Sequence, residues 1–234
     1  MITIIDYGMG NLHSVENALR HIGCTCCVSD KREDIERADQ LILPGVGAFA
    51  DCMKNLQERG LVEVLQIEVM QKHKPLLGIC LGMQALFEDS EENGYTKGLG
   101  FLKGNIVKMK DTLVPASEIQ TEKHVRIPHI GWNLLEPCQP SPVFERLSER
   151  PFVYYVHSYY AQNYDERDLL ADSGYGRMRI PGLVRRDNVV GAQFHPEKSG
   201  EDGLQPAVVQ GEFVCFTGNR HPGSAAGTAV PGRL

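Results

Sequence analysis

The strongest constraint on the fold is the alternation of short apolar runs with amphipathic segments in the first half of the chain. Each apolar run ends in a turn, and side chains at helical spacing follow. The predicted strands are 2–6, 24–29, 40–43 and 75–80, and the predicted helices are 12–22, 48–59, 61–72 and 81–88. Strands that alternate with helices pair in parallel, and the helices cover both faces of the sheet. The sequence therefore predicts an α/β fold built on an open, mostly parallel sheet flanked by helices.

The second half of the chain has a different pattern. Short β-prone runs separated by turn residues occur at 104–110, 131–136, 152–160, 182–186 and 189–194, with few helical patterns between them. These runs predict an antiparallel extension of the first sheet. Lys110–Arg126 is polar and aperiodic, which indicates an exposed insertion. We therefore expect one domain over residues 1–199, followed by a Gly- and Pro-rich tail at 200–234 that is poorly ordered.

Composition argues against several classes of protein. The 234 residues carry a net charge of −6, which disfavours a broad surface for nucleic acid or for an anionic membrane. Asp6 follows the amino terminus too closely for a signal peptide, and no apolar run approaches the roughly 20 residues of a membrane span. Seven irregularly spaced cysteines indicate free thiols and a cytoplasmic location. Cys24, Cys26 and Cys27 lack a second pair of ligands, so structural thiols are favoured over a metal site, and no cofactor is predicted.

Gly78-Ile79-Cys80-Leu81-Gly82 joins a predicted strand directly to a predicted helix. A nucleophile on such a sharp turn projects from the carboxyl edge of the sheet, and its small neighbours relieve crowding. The first amide groups of the helix point at the sulfur, where they stabilise a thiolate and a developing oxyanion. Cys80 is therefore a candidate nucleophile, and the alternative is a buried cysteine in a tight turn.

His195-Pro196-Glu197 follows an apolar strand at its end. Residues two apart in an extended chain lie on the same side, so His195 and Glu197 can face one site. A carboxylate beside an imidazole fixes its tautomer and stabilises the imidazolium that forms when it takes a thiol proton. Cys80, His195 and Glu197 thus form a candidate triad for acyl transfer, although a lone His-Pro-Glu is more often a surface turn.

Pro44-Gly45-Val46-Gly47 is a second glycine-rich turn at the end of a predicted strand. Glycines let backbone N–H groups approach a substrate, as an oxyanion hole requires, but an ordinary turn is the more common explanation of so short a pattern. Sites in open α/β sheets gather at the carboxyl ends of the strands, and all three features map to that edge. Their agreement carries more weight than each feature alone.

Together these segments resemble the class I, triad-type glutamine amidotransferases, and within them the glutaminase subunits of imidazole glycerol phosphate synthase. The resemblance extends from residue 1 to about residue 200. Five motifs in the family's order carry it: Asp6-Tyr7-Gly8-Met9-Gly10-Asn11, Pro44-Gly45-Val46-Gly47-Ala48-Phe49, Gly78-Ile79-Cys80-Leu81-Gly82-Met83-Gln84, Pro128-His129-Ile130-Gly131-Trp132-Asn133 and His195-Pro196-Glu197-Lys198-Ser199.

The resemblance implies glutamine hydrolysis followed by transfer of ammonia. Cys80 would attack the side-chain amide of glutamine and form a γ-glutamyl thioester. His195 would act as base and then as acid toward the leaving ammonia, with Glu197 orienting it. The ammonia would pass to a partner cyclase with a (β/α)8 barrel, in a heterodimer. That cyclase would use it on a phosphoribulosyl-formimino carboxamide ribotide to make imidazole glycerol phosphate and aminoimidazole carboxamide ribotide, in histidine biosynthesis.

The same resemblance assigns the binding residues. The backbone amides of Leu81 and Gly47 would form the oxyanion hole, with the Val46–Gly47 peptide free to reorient. The residues that would hold glutamine are Gly45, Gly47, Gln84, Ser158 and Tyr159. Those that would contact the partner are Asn11, Trp132, Asn133, Tyr154 and Lys198. Tryptophan and tyrosine are typical interface anchors, but a core position for Trp132 and a solvated charge for Lys198 stay open.

The chain departs from the family after Ser199. Relatives continue into a closing amphipathic helix, whereas residues 201–234 are poorly phased and Pro206 interrupts their start, although 204–216 can still pack as a cover. We expect the sheet to lose part of its apolar cover and some stability, with the triad intact. Two alternative functions stay open: a paralogue that supplies ammonia to a sugar-modifying amidotransferase, and a non-catalytic regulatory module of the same fold.

Overall fold

The computed structural model describes residues 1–110, 125–145 and 147–200. Its strands are β1 (Ile2–Ile5), β2 (Cys26–Ser29), β3 (Gln40–Gly45), β4 (Leu76–Cys80), β5 (Asp89–Ser90), β6 (Thr96–Lys97), β7 (Asn105–Lys108), β8 (His129–Leu134), β9 (Glu136–Pro137), β10 (Phe152–His157), β11 (Tyr159–Gln162), β12 (Leu169–Tyr175), β13 (Met178–Arg186) and β14 (Val189–Ala192). Its α-helices are α1 (Leu12–His21), α2 (Arg32–Arg37), α3 (Phe49–Glu58), α4 (Leu61–Leu65) and α5 (Leu81–Ala85), and a π-helix at Gln66–Gln71 continues α4.

A central sheet of eight strands has the order β2-β1-β3-β4-β14-β13-β12-β9. The first five of these strands pair in parallel, and β13, β12 and β9 continue the sheet in antiparallel fashion. Two smaller sheets, β10-β8 and β11-β7-β5-β6, lie outside it. The predicted fold, a mostly parallel sheet flanked by helices with an antiparallel extension, is confirmed.

The parallel strands are buried because apolar side chains point from both of their faces. In β3, Leu41 and Leu43 join one apolar cluster and Ile42 joins the other, which lies across the sheet. Phe49 and Leu56 of α3 pack in the first cluster, and α1 packs in the second. Helices therefore cover both faces, as the alternating pattern predicted.

The second half of the chain differs from the prediction in how its strands are shared among sheets. Of the β-prone runs, 189–194 supplies β14, which pairs in parallel with β4, and 182–186 is the end of the longer antiparallel strand β13. The runs at 104–110 and 152–160, and the run at 131–136 as far as Leu134, contribute instead to β7, β8, β10 and the start of β11 in the two small sheets, whereas Glu136 begins β9 at the edge of the central sheet. The predicted antiparallel extension is present, but of the five runs only 182–186, in β13, and the last residue of 131–136, in β9, belong to it.

Two predicted segments lie largely outside the described residues. The expected insertion at Lys110–Arg126 includes the undescribed stretch 111–124, and the expected tail at 200–234 is undescribed from 201 onward. The expectation of a lost terminal helix, and of 204–216 as a makeshift cover, falls on that same stretch. Within the described ranges, no helix combines the length and apolar character needed to cross a membrane.

Candidate active site

Cys80 occupies a strained turn between β4 and α5. Its backbone has φ 53° and ψ −109°, a conformation that residues with a side chain rarely adopt and that is typical of nucleophiles on strand-to-helix turns. Gly82 permits the turn, since a Cβ at that position would lie 1.8 Å from the carbonyl oxygen of Leu43 in β3. The predicted elbow is thus present, and its tightness depends on direct contact of α5 with the neighbouring strand.

His195 and Glu197 lie just beyond the end of β14, which pairs directly with β4. Nδ1 of His195 lies 2.8 Å from Oε1 of Glu197, and both side chains are at most 3% exposed. Because the carboxylate accepts, Nδ1 carries the proton and Nε2 is the atom left for proton exchange. No hydrogen bond reaches buried Nε2 from the described residues. The expected pairing of histidine and carboxylate is therefore present.

Cys80 and His195 line the same cavity, and their charges interact. Burial disfavours the imidazolium, but contacts with the Cys80 thiol and with Glu197 outweigh it and raise the pKa of His195 to about 9. An imidazole with so high a pKa is a strong enough base to accept a proton at neutral pH. The arrangement supports a nucleophilic cysteine rather than a structural one.

The turn after β3 lies beside the nucleophile, because Gly45 is the register partner of Cys80. The hydroxyl of Tyr7 donates a 2.8 Å hydrogen bond to the carbonyl of Pro44, which fixes the end of the strand. Beyond it, Gly47 has φ 108° and Val46 is 42% exposed. A fixed strand end followed by an exposed, glycine-containing peptide suits an oxyanion loop whose N–H group can turn toward a substrate.

A cavity of about 360 Å³ unites most of the predicted catalytic and glutamine-binding residues. Its walls are formed by Val46, Gly47, Cys80, Leu81, Gln84, Glu92, Pro128, Val156, His157, Ser158, Tyr159 and His195. Two predicted site residues are not in its walls: Gly45 is the register partner of Cys80, and Glu197 accepts the Nδ1 proton of His195. The volume suits a ligand of amino-acid size.

Three site residues were missed by the sequence analysis. Glu92 is the acidic side chain among the residues that line the cavity, and it receives the backbone N–H of Phe49 at 2.7 Å. His157 lies in the wall directly before Ser158. Gln193 is fully buried and donates toward the sulfur of Cys80 at 3.9 Å. Its spacing of two from His195 was an available signal, whereas nothing in the polar loop around Glu92 marks that residue.

Of the five predicted partner residues, Trp132, Asn133 and Tyr154 belong to the small sheet formed by β8 and β10, whereas Asn11 and Lys198 lie outside it. One side presents what we call the β8–β10 face, composed of Ile130, Trp132, Leu134, Phe152, Tyr154 and Val156. Trp132 is 55% exposed there, which excludes a core position, and its ring lies 6.1 Å from that of Tyr154. The Lys198 ammonium lies 5.9 Å from the Tyr154 ring centroid. Asn133 points to the opposite side, and Asn11 caps α1.

Comparisons with known proteins give the same family as the motifs. The family model "Glutamine amidotransferase class-I" matches residues 3–210. Subunit HisH of imidazole glycerol phosphate synthase from Bacillus licheniformis is 50% identical over 217 residues, covering 93% of this chain and 97% of the relative. The HisH subunit from Bacillus cereus strain G9842 is 53% identical over 205 residues, or 88% of this chain and 91% of the relative. That from Bacillus subtilis is 47% identical over 204 residues, or 87% and 92%.

Solved structures agree on the fold. A crystal structure of a glutamine amidotransferase superposes with a TM-score of 0.65 at 21% identity, covering 87% of this chain and 95% of the other. A Thermoplasma acidophilum protein, described as a GMP synthase subunit, gives 0.59 at 19% identity and covers 86% and 87%. The family model and the HisH relatives each span most of the chain. The chain therefore belongs to the class-I glutamine amidotransferase family and, within it, to the HisH subunits of imidazole glycerol phosphate synthase.

Proposed function

We propose that this chain hydrolyses glutamine to glutamate and ammonia through Cys80, His195 and Glu197, and passes the ammonia to a cyclase subunit. The observation that carries the proposal is a cysteine on a strained elbow whose sulfur shares a cavity with an imidazole, itself held by a buried carboxylate. That combination supplies a nucleophile, a base and an orienting group in one pocket.

In the first half-reaction, His195 takes the proton of the Cys80 thiol on Nε2. The sulfur attacks the side-chain amide carbon of glutamine and forms a tetrahedral adduct. His195 then returns the proton to the amide nitrogen, the C–N bond breaks, and ammonia leaves a γ-glutamyl thioester on Cys80. In the second half-reaction, His195 activates a water that cleaves the C–S bond and releases glutamate.

The negative charge of the adduct needs donors beside Cys80. The backbone N–H of Leu81, the first residue of α5, is one donor. The N–H of Gly47 is the second once the Val46–Gly47 peptide turns inward, a rotation that the exposed position of Val46 permits. Donors of this kind typically contribute about 10²–10³-fold to the rate.

The remaining walls of the cavity suit the amino-acid end of glutamine. Gln84 is anchored through its Nε2 atom to the carbonyl of Tyr159 at 2.9 Å, which ties the Ser158–Tyr159 segment to α5. Glu92 brings a carboxylate to the cavity, and a carboxylate attracts the α-ammonium group of the substrate. We assign Gly45, Gly47, Gln84, Ser158 and Tyr159 to binding, and we add Glu92.

The acceptor side of the reaction belongs to a partner subunit. The HisH relatives are each named as a subunit, which supports a heterodimer. We propose a (β/α)8-barrel cyclase that binds the β8–β10 face and Lys198, with Asn11 and Asn133 near the contact. Ammonia released into bulk water is protonated and lost as a nucleophile, so the partner must cover the site. The synthase named in the relatives makes imidazole glycerol phosphate, and we place the pair in histidine biosynthesis in the cytoplasm.

The two alternatives receive less support. A non-catalytic module has no need for the buried contact between His195 and Glu197 or for the strain at Cys80. A sugar-modifying acceptor is disfavoured because relatives between 47% and 53% identical carry the imidazole glycerol phosphate synthase name.

Glutaminase assays of the chain with and without its cyclase and ribotide test the proposal. We expect little turnover for the isolated chain and strong stimulation in the complex. The substitution Cys80→Ala should lower the rate by at least about 10³-fold, because it removes the nucleophile. Cys138→Ala is the matched control: Cys138 is an exposed thiol after β9, and its loss should leave the rate within twofold. Full activity of the Cys80→Ala complex would refute the assignment.

A further inference from the structure

Two buried histidines, His157 in the wall of the cavity and His129 behind it, form the centre of a continuous series of hydrogen bonds. His129 is 2% exposed and His157 is 6% exposed. Nδ1 of His129 lies 3.1 Å from Nε2 of His157, and Nδ1 of His157 lies 2.9 Å from the carbonyl oxygen of Tyr159. Polar groups this deeply buried are costly unless each has a partner. The proposed triad uses neither imidazole.

The chemistry of the two ends determines the direction of every hydrogen bond. The Tyr159 carbonyl only accepts, so His157 carries its proton on Nδ1 and accepts at Nε2. His129 must then donate from Nδ1 and accept at Nε2, where Nδ2 of Asn133 lies at 3.4 Å. The same Nδ2 atom also donates to the carbonyl of Gly174 at 2.9 Å. The carbonyls of Tyr159 and Gly174, which lie at opposite ends of the series, therefore require the same arrangement, with the proton on Nδ1 in both imidazoles.

Both imidazoles must be neutral for this arrangement, and their surroundings make them so. Burial, together with the proximity of His157, lowers the pKa of His129 to about 3. Burial and the charge of His195 lower the pKa of His157 to about 4, although the Tyr159 carbonyl favours its charged form. The ring of His129 also stacks between Tyr155 and Tyr175, with centroids 4.6 Å and 3.9 Å away.

The series reaches the nucleophile through the glutamine-binding wall. The Tyr159 carbonyl, which receives His157, also receives Nε2 of Gln84 at 2.9 Å. Nε2 of Gln84 donates in addition to Oε1 of Gln193 at 3.1 Å, and Nε2 of Gln193 donates toward the sulfur of Cys80 at 3.9 Å. At its other end the series is anchored on Gly174 in β12, a strand of the central sheet.

We propose that His129 and His157 are positioning residues that fasten the Ser158–Tyr159 wall of the cavity to the central sheet, in the geometry that binds glutamine. Neither residue touches the reacting atoms. They act through the carbonyl of Tyr159, whose place decides where Gln84 and the wall meet the substrate. This inference rests on the proposed glutaminase function, but the proton arrangement on which it depends can be measured without any turnover.

Nuclear magnetic resonance of the unaltered chain labelled with ¹⁵N-histidine measures that arrangement directly. We expect both imidazoles to be neutral between pH 6 and pH 8. In each ring Nδ1 should show the ¹⁵N chemical shift of a protonated nitrogen, and Nε2 should show that of an unprotonated nitrogen. A proton on Nε2 of either ring, or an imidazolium in that range, would overturn the proposal. Because this result does not depend on activity, it stands apart from the test of the glutaminase.

Steady-state kinetics of the chain in complex with its cyclase test the consequence. His129→Phe keeps a ring between Tyr155 and Tyr175 but removes both hydrogen bonds of His129. We expect the KM for glutamine to rise about tenfold, with kcat within threefold and an unchanged rate of Cys80 alkylation by iodoacetamide. Tyr175→Phe is the matched control, since its hydroxyl donates to the Arg126 carbonyl outside the series and its loss should leave KM unchanged.

Three results would contradict this expectation: an unchanged KM in His129→Phe, a fall in kcat without a change in KM, or an equal rise of KM in Tyr175→Phe. If the unaltered complex hydrolyses no glutamine, the proposed function fails, and the histidine proton arrangement still decides whether the series exists.

Discussion

The strain at Cys80 is the residue-scale feature from which the chemistry follows. A residue with a side chain at positive φ costs free energy of about 1–3 kcal/mol, so such a conformation persists only where the surroundings impose it. Here the neighbouring strand, α5 and the buried amide of Gln193 all contact the turn. The strained backbone turns the sulfur away from the sheet and into the cavity beside His195.

The substitution Glu197→Gln tests the carboxylate that holds His195. The glutamine has nearly the same shape and keeps an oxygen for Nδ1–H, but it removes the negative charge. We expect kcat to fall by about 100-fold or more, because the imidazolium loses its stabilising partner. KM should change little, since Glu197 is not in the cavity wall. A kcat within threefold of the unaltered complex would contradict this role.

The same substitution has a pH-dependent effect on stability. The pKa of His195 is raised from 6.5 to about 9 in the folded chain, so its protonation stabilises the fold fully below pH 6.5. That stabilisation is lost as the pH rises through about 9. The melting temperature of Glu197→Gln should therefore lie further below that of the unaltered chain at pH 6 than at pH 10. An equal difference at both pH values would contradict the shift.

At the scale of the elements, the elbow depends on how closely α5 approaches β3. In Gly82→Ala the added Cβ would overlap the Leu43 carbonyl, and backbone atoms must move. We expect the free energy of unfolding to fall by about 3 kcal/mol, measured by urea denaturation with an unchanged m value. Gly174→Ala is the control, since no atom lies within 4 Å of its added Cβ, and its effect should stay within about 0.5 kcal/mol. Equal stability of the two variants would refute the close contact.

The strands and helices also show which parts of the fold can be predicted from local sequence patterns. The strands β1 to β4 and the helices α1, α3, α4 and α5 were predicted because their burial follows local periodicity, as in β3 and α3. The short helix α2 and the two-residue strands β5 and β6 were not predicted, because segments so short hold too few residues to show a period. The strand β12 was missed because it contains Asp172 and Ser173, polar residues that are unusual in a buried strand. Ser173 satisfies its hydroxyl with Tyr155 and with the carbonyl of Leu134, and Asp172 pairs with Arg179. All of these partners belong to other strands or to a neighbouring sheet, so the sequence of β12 itself carries no signal of them.

The site shows the same division. Cys80, His195 and the Gly45–Gly47 turn were predicted because each lies at the end of a strand, and the carboxyl ends of parallel strands meet at one edge. Glu92 and His157 were not, since the loop after β5 and the strand β10 reach the cavity only through the packing of the small sheets. The periodicity of apolar residues carries no information about which molecule accepts the ammonia, and the acceptor was suggested by the resemblance alone.

For the molecule as a whole, the β8–β10 face brings together four of the large apolar side chains that are exposed among the described residues, Ile130, Trp132, Phe152 and Val156. The substitution Trp132→Ala should weaken the Kd for the cyclase about thirtyfold, a loss of about 2 kcal/mol, because exposed aromatic anchors dominate such interfaces. The melting temperature of the isolated chain should not change. Isothermal titration calorimetry measures the affinity.

Met70→Ala is the control for this prediction. Met70 is 42% exposed on the π-helix that precedes the amino end of β4, so it lies at the end of the sheet opposite the active site. Its loss should leave the Kd unchanged. Equal affinities of Trp132→Ala and Met70→Ala for the cyclase would show that Trp132 does not contribute to the interface.

The apolar β8–β10 face also bears on how much of this chain a cell can make. Ile130, Trp132, Phe152 and Val156 are each at least 37% exposed on one two-stranded ribbon. Contiguous apolar surface of this kind adheres to other apolar surface when its own counterpart is scarce. If the cyclase covers the β8–β10 face as proposed, chains in surplus over the cyclase expose that face and aggregate or bind chaperones. Balanced synthesis of the two subunits is the consequence that the proposed interface predicts.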